Sequence, residues 1–537
     1  MIETPNRTRK SVRWPSLRAV VMLWIPSILV AGIILLPIIY LVLRAVQAEN
    51  GLDLILKNTT LLTILRTILL AGAVTLISAT LAVPLAWLTT RTDLPLRRLW
   101  ATLTALPIVI PSYVGAYLIV STLGPRGMLQ EWLEPLGVTR LPAIYGFPGA
   151  LFILTILSYP YILLGVRAAL QNADPSQEEA ARSMGLNPWQ TFWRVTLPGL
   201  RPAIAAGGLL VALYVLRDFG AVSVMRYNTF TRVIYLQYKS TFDRSAAAIL
   251  SLVLVVLTLT LLYFEQRTQT KAQYYTNAIN AKRTPKVVKL GRWKWVALTF
   301  VILVVFAGVI MPTLNLLYWL VRGVLAGEVI PGLWLSTRNS MMASGLAAIV
   351  TLLAALPVAI ISVRYAGRVS KTIKSITYLA FALPGIVIAL ALVFFGANYA
   401  QPIYQTLPML IIAYLILFSP EAVGAVHASF LQVHPSMEES GRSLGHSPLA
   451  VFRKITLPLI RPGIRASLAL VFLTTMKELP ATLILSPIGF KTLSTGVWGA
   501  VSEAFFAQAA APALLIILVS SVPMGFMILG EKQPHKT

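Results

Sequence analysis

Apolar residues in this chain come in long runs that short polar segments separate. The first run extends from about Ala19 to Leu43. Eleven further runs begin near Ile64, Trp100, Gly149, Ala203, Ala246, Val296, Ser340, Ile376, Met409, Ile464 and Gln508. A run of about 20 apolar residues is long enough to cross the hydrocarbon core of a bilayer as a helix. The pattern therefore predicts an all-α polytopic membrane protein of about twelve transmembrane helices.

One polar stretch divides these runs into two sets of six. Residues 266–294 contain no long apolar run and carry many Lys and Arg residues. We interpret this stretch as a cytoplasmic linker. The predicted organisation is a six-helix unit over residues 1–265, the linker over 266–294, and a second six-helix unit over 295–537.

Composition agrees with a membrane protein. Of the 537 residues, 57% are hydrophobic and 12% are charged, whereas soluble domains have about 25% charged residues. The net charge of +26 would indicate nucleic acid in a soluble protein, but here it fits the excess of Lys and Arg in cytoplasmic loops. We therefore expect the protein to lie in a lipid bilayer and not to bind nucleic acid. The absence of cysteine excludes disulfides and thiolate metal sites.

The basic residues also predict an orientation. The first apolar run follows a basic segment, and it is too long for the hydrophobic region of a signal peptide, so we expect an uncleaved first helix with a cytoplasmic N-terminus. This orientation also makes two other basic loops cytoplasmic, those with Arg91, Arg97 and Arg98 and with Arg364, Arg368, Lys371 and Lys374. One basic segment does not fit this orientation, which places Arg226, Arg232, Lys239 and Arg244 on the outer side of the membrane.

The two units share a repeated sequence. Residues 175–204 read PSQEEAARSMGLNPWQTFWRVTLPGLRPAI, and residues 435–464 read PSMEESGRSLGHSPLAVFRKITLPLIRPGI. At a constant offset of 260, 15 of the 30 positions are identical. The chain is therefore predicted to be a duplicated six-helix unit with both copies in the same orientation, related by a pseudo-two-fold axis along the membrane normal.

The repeated segment predicts a short helix, a glycine turn and a second short helix. In the first copy, Ser176 and Glu179 have the spacing of a capping box, and Gly185 is placed to end the helix in a left-handed cap. Asn187-Pro188 is typical of a helix start, and Leu197-Pro198 predicts an interruption before the next span. The second copy repeats these features at Ser436 and Glu439, Gly445, Ser447-Pro448 and Leu457-Pro458.

We call each repeated segment a platform. Both platforms combine charges with apolar side chains, namely Met184, Leu186, Trp189 and Phe192, and Leu444, Leu449 and Phe452. Such a mixture favours a docking surface for a cytoplasmic partner over a loop that merely connects two spans. His434 and His446, at the ends of the first short helix of the second platform, are interpreted as solvated loop residues.

These residues resemble the EAA motif of permeases of binding-protein-dependent ABC importers, within loops 175–202 and 435–462. The motif residues are Glu179, Ala180, Ala181, Gly185, Leu197 and Pro198, and Glu439, Ser440, Gly441, Gly445, Leu457 and Pro458. The resemblance implies the type I importer permease fold in a bacterial inner membrane. It also implies that these residues couple to two copies of an ABC ATPase subunit, with ATP and Mg on that partner and no cofactor on this chain, and that a periplasmic binding protein delivers the substrate.

In having two fused units, the chain resembles the permeases of the ferric-iron and thiamine importers. The segments that begin at Arg217 and Lys477 are more similar to the ferric-iron branch. Thiamine is the main alternative substrate, and polyamine or sulfate are weaker ones. The chain has no G-x-x-x-x-G-K-[ST] phosphate loop, so we expect no enzyme activity and an ATPase partner. A secondary transporter is the alternative of another class, although it would not need matched docking helices.

Two charged doublets lie at equivalent places in the repeats. Arg217-Asp218 and Lys477-Glu478 are each about 15 residues into a span, which is roughly 22 Å along a helix. Charges inside a membrane usually face a partner or an aqueous path. We predict that these four residues line the translocation path, where the carboxylates suit a hard cation. The alternative is that each doublet is an ion pair that ties helix ends together.

Overall fold

The structure is a computed structural model that describes residues 20–47, 51–125, 127–173, 175–240, 245–272, 287–328, 332–365 and 367–530. The basic segment ahead of the first span, Asp174, Arg244, His535 and residues 273–286 of the predicted linker lie outside the described residues. The helices of the first half are α1 Ile25–Gln47, α2 Gly51–Leu56, α3 Asn58–Arg91, α4 Arg97–Leu103, α5 Ser112–Leu123, α6 Met128–Leu133, α7 Phe147–Asn172, α8 Pro175–Ser183, α9 Pro188–Thr191, α10 Leu197–Arg217, α11 Gly220–Val224, α12 Phe230–Ser240 and α13 Ser245–Ala272.

The second half repeats this order. Its helices are α14 Trp293–Val305, α15 Met311–Leu325, α16 Leu333–Arg364, α17 Arg368–Leu379, α18 Gly385–Tyr399, α19 Leu407–Leu431, α20 Pro435–Ser443, α21 Pro448–Val451, α22 Leu457–Lys477, α23 Pro480–Leu485, α24 Leu493–Ser502 and α25 Phe506–Gly530. Three π-helical turns, Phe192–Thr196, Phe306–Ile310 and Phe452–Thr456, join helices without a break in direction, and a fourth, Val20–Trp24, precedes α1. Short 3-10 turns are Leu106–Val109, Glu134–Leu136, Ala380–Ala382 and Gln401–Ile403.

Ten helices of the described chain are long and apolar enough to cross a membrane, and two further spans are bent. The all-α polytopic fold is therefore confirmed, but the spans predicted near Trp100 and Ile376 are broken. Their two parts meet at 99° and 107°. Each break ends in a proline of extended conformation, Pro111 and Pro384. Proline disfavours helical conformation in the residue before it, which explains why the helix stops there.

The predicted linker is partly helical and partly docked. Helix α13 continues to Ala272. At the other end of the linker, the Val288 amide donates to the Arg91 carbonyl at 2.8 Å, and the Asp93 amide donates to the Val288 carbonyl at 3.2 Å. The Asp93 side chain also accepts from the Leu290 amide at 2.9 Å. The end of the linker is thus held against the loop that follows α3.

Three long helices form the centre of each half. Helices α3, α7 and α10 pack against one another in the first half, as α16, α19 and α22 do in the second. The largest fully buried side chains include Tyr159 of α7 and Tyr414 of α19. Helices α7 and α10 lead into and out of the first platform, and α19 and α22 do the same at the second.

The first span of each half packs against the other half. Helix α1 contacts α16, α17 and α18, and α15 contacts α5. Polar contacts accompany this exchange: Asn315 of α15 donates to the Thr122 hydroxyl at 2.6 Å and accepts from the Ser121 hydroxyl at 3.1 Å. Interhelical bonds of this kind hold helices together in lipid, where apolar surfaces give little driving force. The two halves are therefore interlocked.

The basic segment that opposed the predicted orientation forms an amphipathic helix, α12, next to α13. Just before it, the Arg226 guanidinium lies 5.1 Å from the centre of the Tyr145 ring. Arg232 donates to the Asn228 side chain. The positive charges that the structure describes in this segment therefore have local partners.

Candidate functional site

The first short helix of each platform ends in the same glycine cap. Gly185 has φ +89° and Gly445 has φ +83°, a conformation that L side chains rarely adopt. In the first platform the Leu186 amide donates to the Ala181 carbonyl at 3.2 Å, and the Gly185 amide donates to the Arg182 carbonyl at 3.0 Å. This is a Schellman cap, and the second platform repeats it residue for residue. The predicted glycine turns are confirmed.

The second short helix also begins as predicted. The Asn187 side chain accepts from the Gln190 amide at 2.8 Å, and the Gln190 side chain accepts from the Asn187 amide at 3.1 Å. Ser447 caps the equivalent helix by accepting from the Ala450 amide at 3.3 Å. A proline occupies the first helical position in both, where its missing N–H costs no hydrogen bond.

The capping box predicted at Ser436 and Glu439 is wrong. Helix α20 begins at Pro435, so Ser436 lies inside it, and the cap is the imidazole of His434. His434 Nδ1 accepts from the Ser436 amide at 3.3 Å and lies 2.7 Å from the Ser436 hydroxyl. His434 is exposed, as expected, but it has this capping role in addition. His446 is exposed as well.

The interruption predicted at Leu197-Pro198 and Leu457-Pro458 is also wrong. The helix continues, and Pro188–Arg217 and Pro448–Lys477 are each one candidate span. A π-helical turn precedes each proline, at Phe192–Thr196 and Phe452–Thr456. A proline inside a helix lacks an N–H and crowds the carbonyl four residues before it, and the wider turn accommodates both effects.

A carboxylate that the sequence did not single out anchors each platform. The Glu178 carboxylate accepts from the Thr196 hydroxyl at 3.0 Å and lies 3.8 Å from the Arg91 guanidinium. Arg91 ends α3 and also donates to the Leu170 carbonyl at 2.9 Å. Three helices therefore meet at Glu178.

The second half builds the same anchor more tightly. The Glu438 carboxylate accepts from the Thr456 hydroxyl at 2.9 Å and is 3.1 Å from the Arg364 guanidinium. Arg364 ends α16 and donates to the Val433 carbonyl at 3.1 Å. The sequence contains two adjacent glutamates in each copy, at the same offset, so it could not indicate which of them turns inward.

The outer face of each platform is apolar and exposed. Met184 is 77% exposed, Trp189 68% and Leu444 80%. Trp189, Phe192 and Trp193 pack together in the first platform. The remaining residues predicted for this surface divide as follows: Leu449 is exposed, and Leu186, Phe192 and Phe452 are half-buried.

The motif residues lie on both sides of the platform helices. Glu179, Ala180, Glu439 and Ser440 are exposed, Ala181 and Gly441 are buried, and Leu197, Pro198, Leu457 and Pro458 are half-buried. The exposed members are close in sequence to the apolar residues Met184 and Leu444, and like them they are exposed to solvent. The buried members lie against the rest of the platform; a Cβ on Gly441 would lie 2.6 Å from Ile455 Cδ1.

The charged doublets mark the ends of α10 and α22. Arg217 and Lys477 are the last residues of these helices, and each acidic residue caps the short helix that follows. The Asp218 carboxylate accepts from the Val222 amide at 3.2 Å. The Glu478 carboxylate accepts from the amides of Ala481 and Thr482 at 2.8 and 2.9 Å and from the Thr482 hydroxyl at 2.7 Å. A negative charge is stabilised at a helix N-terminus.

Lys477 of the second doublet reaches the other half. The Lys477 ammonium donates to the Ile108 carbonyl at 2.9 Å, across the boundary between the halves. One turn before Lys477, the Thr474 hydroxyl donates to the Glu421 carboxylate of α19 at 3.2 Å. The sequence reasoning missed Glu421, although an acidic residue in the middle of an apolar run is a signal that can be read directly from the sequence.

The family described as binding-protein-dependent transport system inner membrane component matches this chain twice, over residues 80–269 and 351–529. The chain belongs to this family. Both matched regions contain one platform and one doublet, so the observed repetition of the site is a property of the whole permease unit.

Three relatives place the permease within the family. It is 36% identical over 498 residues to the Fe(3+)-transport system permease protein FbpB 2 of Haemophilus influenzae, covering 91% of this chain and 94% of that protein. It is 26% identical over 490 residues to the ferric transport system permease protein FbpB of Actinobacillus pleuropneumoniae, covering 87% and 71%. The sulfate transport system permease protein CysW of Synechocystis is 31% identical over 211 residues, which is 36% of this chain and 75% of that protein.

The chain is therefore a permease subunit of a binding-protein-dependent transport system of the inner membrane. In the described part of the chain, no three His, Asp or Glu side chains are grouped so that they could hold a metal ion.

Proposed function

We propose that this permease imports ferric iron in an ATP-driven, binding-protein-dependent transport system. The observation that carries the proposal is the length of the similarity: the ferric permeases match most of the fused chain, whereas the sulfate permease matches 36% of it. A chain of two fused units can be matched along most of its length only by a relative that also contains both units.

The two platforms are proposed to be the docking surfaces for two copies of an ATPase subunit, which binds ATP and Mg. Each platform offers exposed apolar side chains on a short helix that a Schellman cap and a buried carboxylate hold rigid. A rigid surface is needed because a flexible loop would absorb movement of the partner. The coupling residues are Glu179, Ala180, Ala181, Gly185, Leu197 and Pro198, and Glu439, Ser440, Gly441, Gly445, Leu457 and Pro458.

We also propose an orientation in the membrane. The platforms face the cytoplasm, as does the N-terminus, and a periplasmic binding protein delivers the substrate to the opposite side. We keep the division into residues 1–265, the linker 266–294 and residues 295–537 as the proposed units. Helices α3, α7 and α10, and their counterparts in the second half, would transmit movement of the platforms to the boundary between the halves.

The path role of Arg217, Asp218, Lys477 and Glu478 remains a prediction. The contact of Lys477 with Ile108 across the halves supports it for the basic residues. The acidic residues have backbone amides of the next short helix as partners. These hydrogen bonds support a role in fixing the junctions at the ends of α10 and α22.

The test is uptake of radiolabelled ferric iron into proteoliposomes that contain the permease, its ATPase and its binding protein. We expect uptake that requires ATP and that is lost in a Gly185→Asp, Gly445→Asp double variant. Uptake of thiamine or sulfate instead of iron would keep the mechanism and overturn the cargo. Uptake that continues without the ATPase would indicate a secondary transporter and overturn the mechanism.

A further inference from the structure

Glu421 is unusual for its position in the membrane. Among the described residues it is the only Asp or Glu in the ten continuous candidate spans. It lies 14 residues after Leu407 at the start of α19, about 21 Å along the helix. A charge at this depth is costly in a bilayer, and such residues usually face a partner or an aqueous path.

The fold of a repeat does not require this carboxylate. The position equivalent to Glu421 in the first repeat is Tyr161, and the position equivalent to Thr474 is Tyr214. The rings of Tyr161 and Tyr214 contact each other, with centres 5.6 Å apart. In the second repeat the Thr474 hydroxyl donates to Glu421 at 3.2 Å instead. The same helix pair is therefore built once with two aromatic rings and once with a carboxylate.

The Glu421 carboxylate is also available to a ligand. It is half-buried, and within the described residues no basic side chain lies within 4 Å of it. The Lys477 ammonium is engaged by the Ile108 carbonyl. By contrast, the carboxylates of Asp218 and Glu478 are occupied by backbone amides.

We propose that Glu421 contacts the cation that the permease carries as it crosses the boundary between the two halves. The inference rests on the proposed function. Hard cations take carboxylate oxygens as ligands. Thr474, which donates to Glu421, lies one turn before Lys477 on α22, and the Lys477 ammonium donates to the Ile108 carbonyl across the boundary between the halves. The carboxylate is therefore near that boundary and near a basic residue, and a neighbouring positive charge weakens its hold on a cation. A transport path needs such weak binding because the cargo must also leave.

The test compares Glu421→Gln with Glu503→Gln, which makes the same chemical change at an exposed position. In the iron uptake assay we expect Glu421→Gln to reduce uptake at least tenfold and Glu503→Gln to leave it within twofold of wild type. Hydrolysis of ATP stimulated by the binding protein should persist in Glu421→Gln. Glu421→Asp should keep more uptake than Glu421→Gln. Undiminished uptake by Glu421→Gln would overturn the inference.

A second variant separates a role in transport from a role in folding. Glu421→Tyr combined with Thr474→Tyr reproduces the Tyr161–Tyr214 pair of the first repeat. We expect this variant to assemble with the ATPase and to lose uptake. If both it and Glu421→Gln fail to assemble, the carboxylate serves the fold and the inference is wrong. An assembled wild-type complex that takes up no iron would instead contradict the proposed function itself.

Discussion

The two platforms are alike in detail, whereas the membrane centres of the two repeats differ. Both platforms have a Schellman cap at a glycine and an arginine, glutamate and threonine anchor. In the membrane, Tyr161 of the first repeat contacts Tyr214, whereas at the equivalent positions of the second repeat Glu421 accepts from Thr474. The comparison teaches that the two repeats have kept one structure at the platforms and have diverged at this pair of membrane helices.

The largest effect that would sharpen this comparison is expected at the anchors. Glu438→Gln should lower the free energy of unfolding by about 2 kcal/mol, below the roughly 3–5 kcal/mol of a fully buried pair, because Arg364 loses its close partner. Glu178→Gln should cost about half as much, since Arg91 lies 3.8 Å from its carboxylate and Arg364 lies 3.1 Å from the carboxylate of Glu438. Thermal unfolding of the purified permease measures both changes.

The exposed neighbours supply matched controls for the anchors. Glu179→Gln and Glu439→Gln should leave the thermal midpoint close to that of wild type. Equal midpoints for all four variants would show that neither inward glutamate anchors its platform.

The two charged doublets should also differ in how much their acidic residues contribute to the free energy of unfolding. Glu478→Gln should cost about 2 kcal/mol because the Glu478 carboxylate accepts three hydrogen bonds, and Asp218→Asn about 1 kcal/mol. Iron uptake at equal membrane levels tests the path prediction in the same variants. Loss of uptake would support a place on the path, and unchanged uptake would contradict it.

The glycine caps should respond equally in the two repeats. Gly185→Ala and Gly445→Ala should each cost about 1–2 kcal/mol, because a side chain disfavours the left-handed conformation. No atom lies within 4 Å of a Cβ at either position, so the cost is conformational only. Gly199→Ala, in helical conformation with equally open space, is the control and should not destabilise. Unequal midpoints for the two caps would break the equivalence of the platforms.

The smallest effect concerns packing below the second platform. Gly441→Ala brings a Cβ to 2.6 Å from Ile455 Cδ1 and should cost about 1 kcal/mol, at the low end for overpacking. Adding Ile455→Val should recover the loss, because the first repeat combines Ala181 with Val195 at these positions. A double-mutant cycle on the thermal midpoint measures this coupling, and strictly additive effects would contradict it.

Much of the fold could be predicted from local sequence. The apolar runs located the spans because burial in lipid requires about 20 consecutive apolar residues. Gly185, Gly445, Asn187 and Ser447 were predicted in their observed roles because caps depend on neighbours a few residues away.

The errors arose where several local solutions compete. His434 rather than Ser436 caps α20, because the helix already begins at Pro435 and the His434 ring accepts from the Ser436 amide in the first turn. The prolines after Leu197 and Leu457 do not break the helix, because a π-helical turn absorbs the crowding. In each case the predicted chemistry was present, but a neighbour satisfied the backbone differently.

The sequence by itself determined the spans, the duplication, the platforms and their family, because each of these depends on short-range periodicity or on repetition at a constant offset. Only the tertiary structure decided that Glu178 and Glu438 turn inward, that the first span of each half packs on the other half, and that Glu421 accepts from Thr474 of a neighbouring helix. These features join residues up to hundreds of positions apart. Their partners are set by how the helices pack, and helix packing is not encoded in any single window of the sequence.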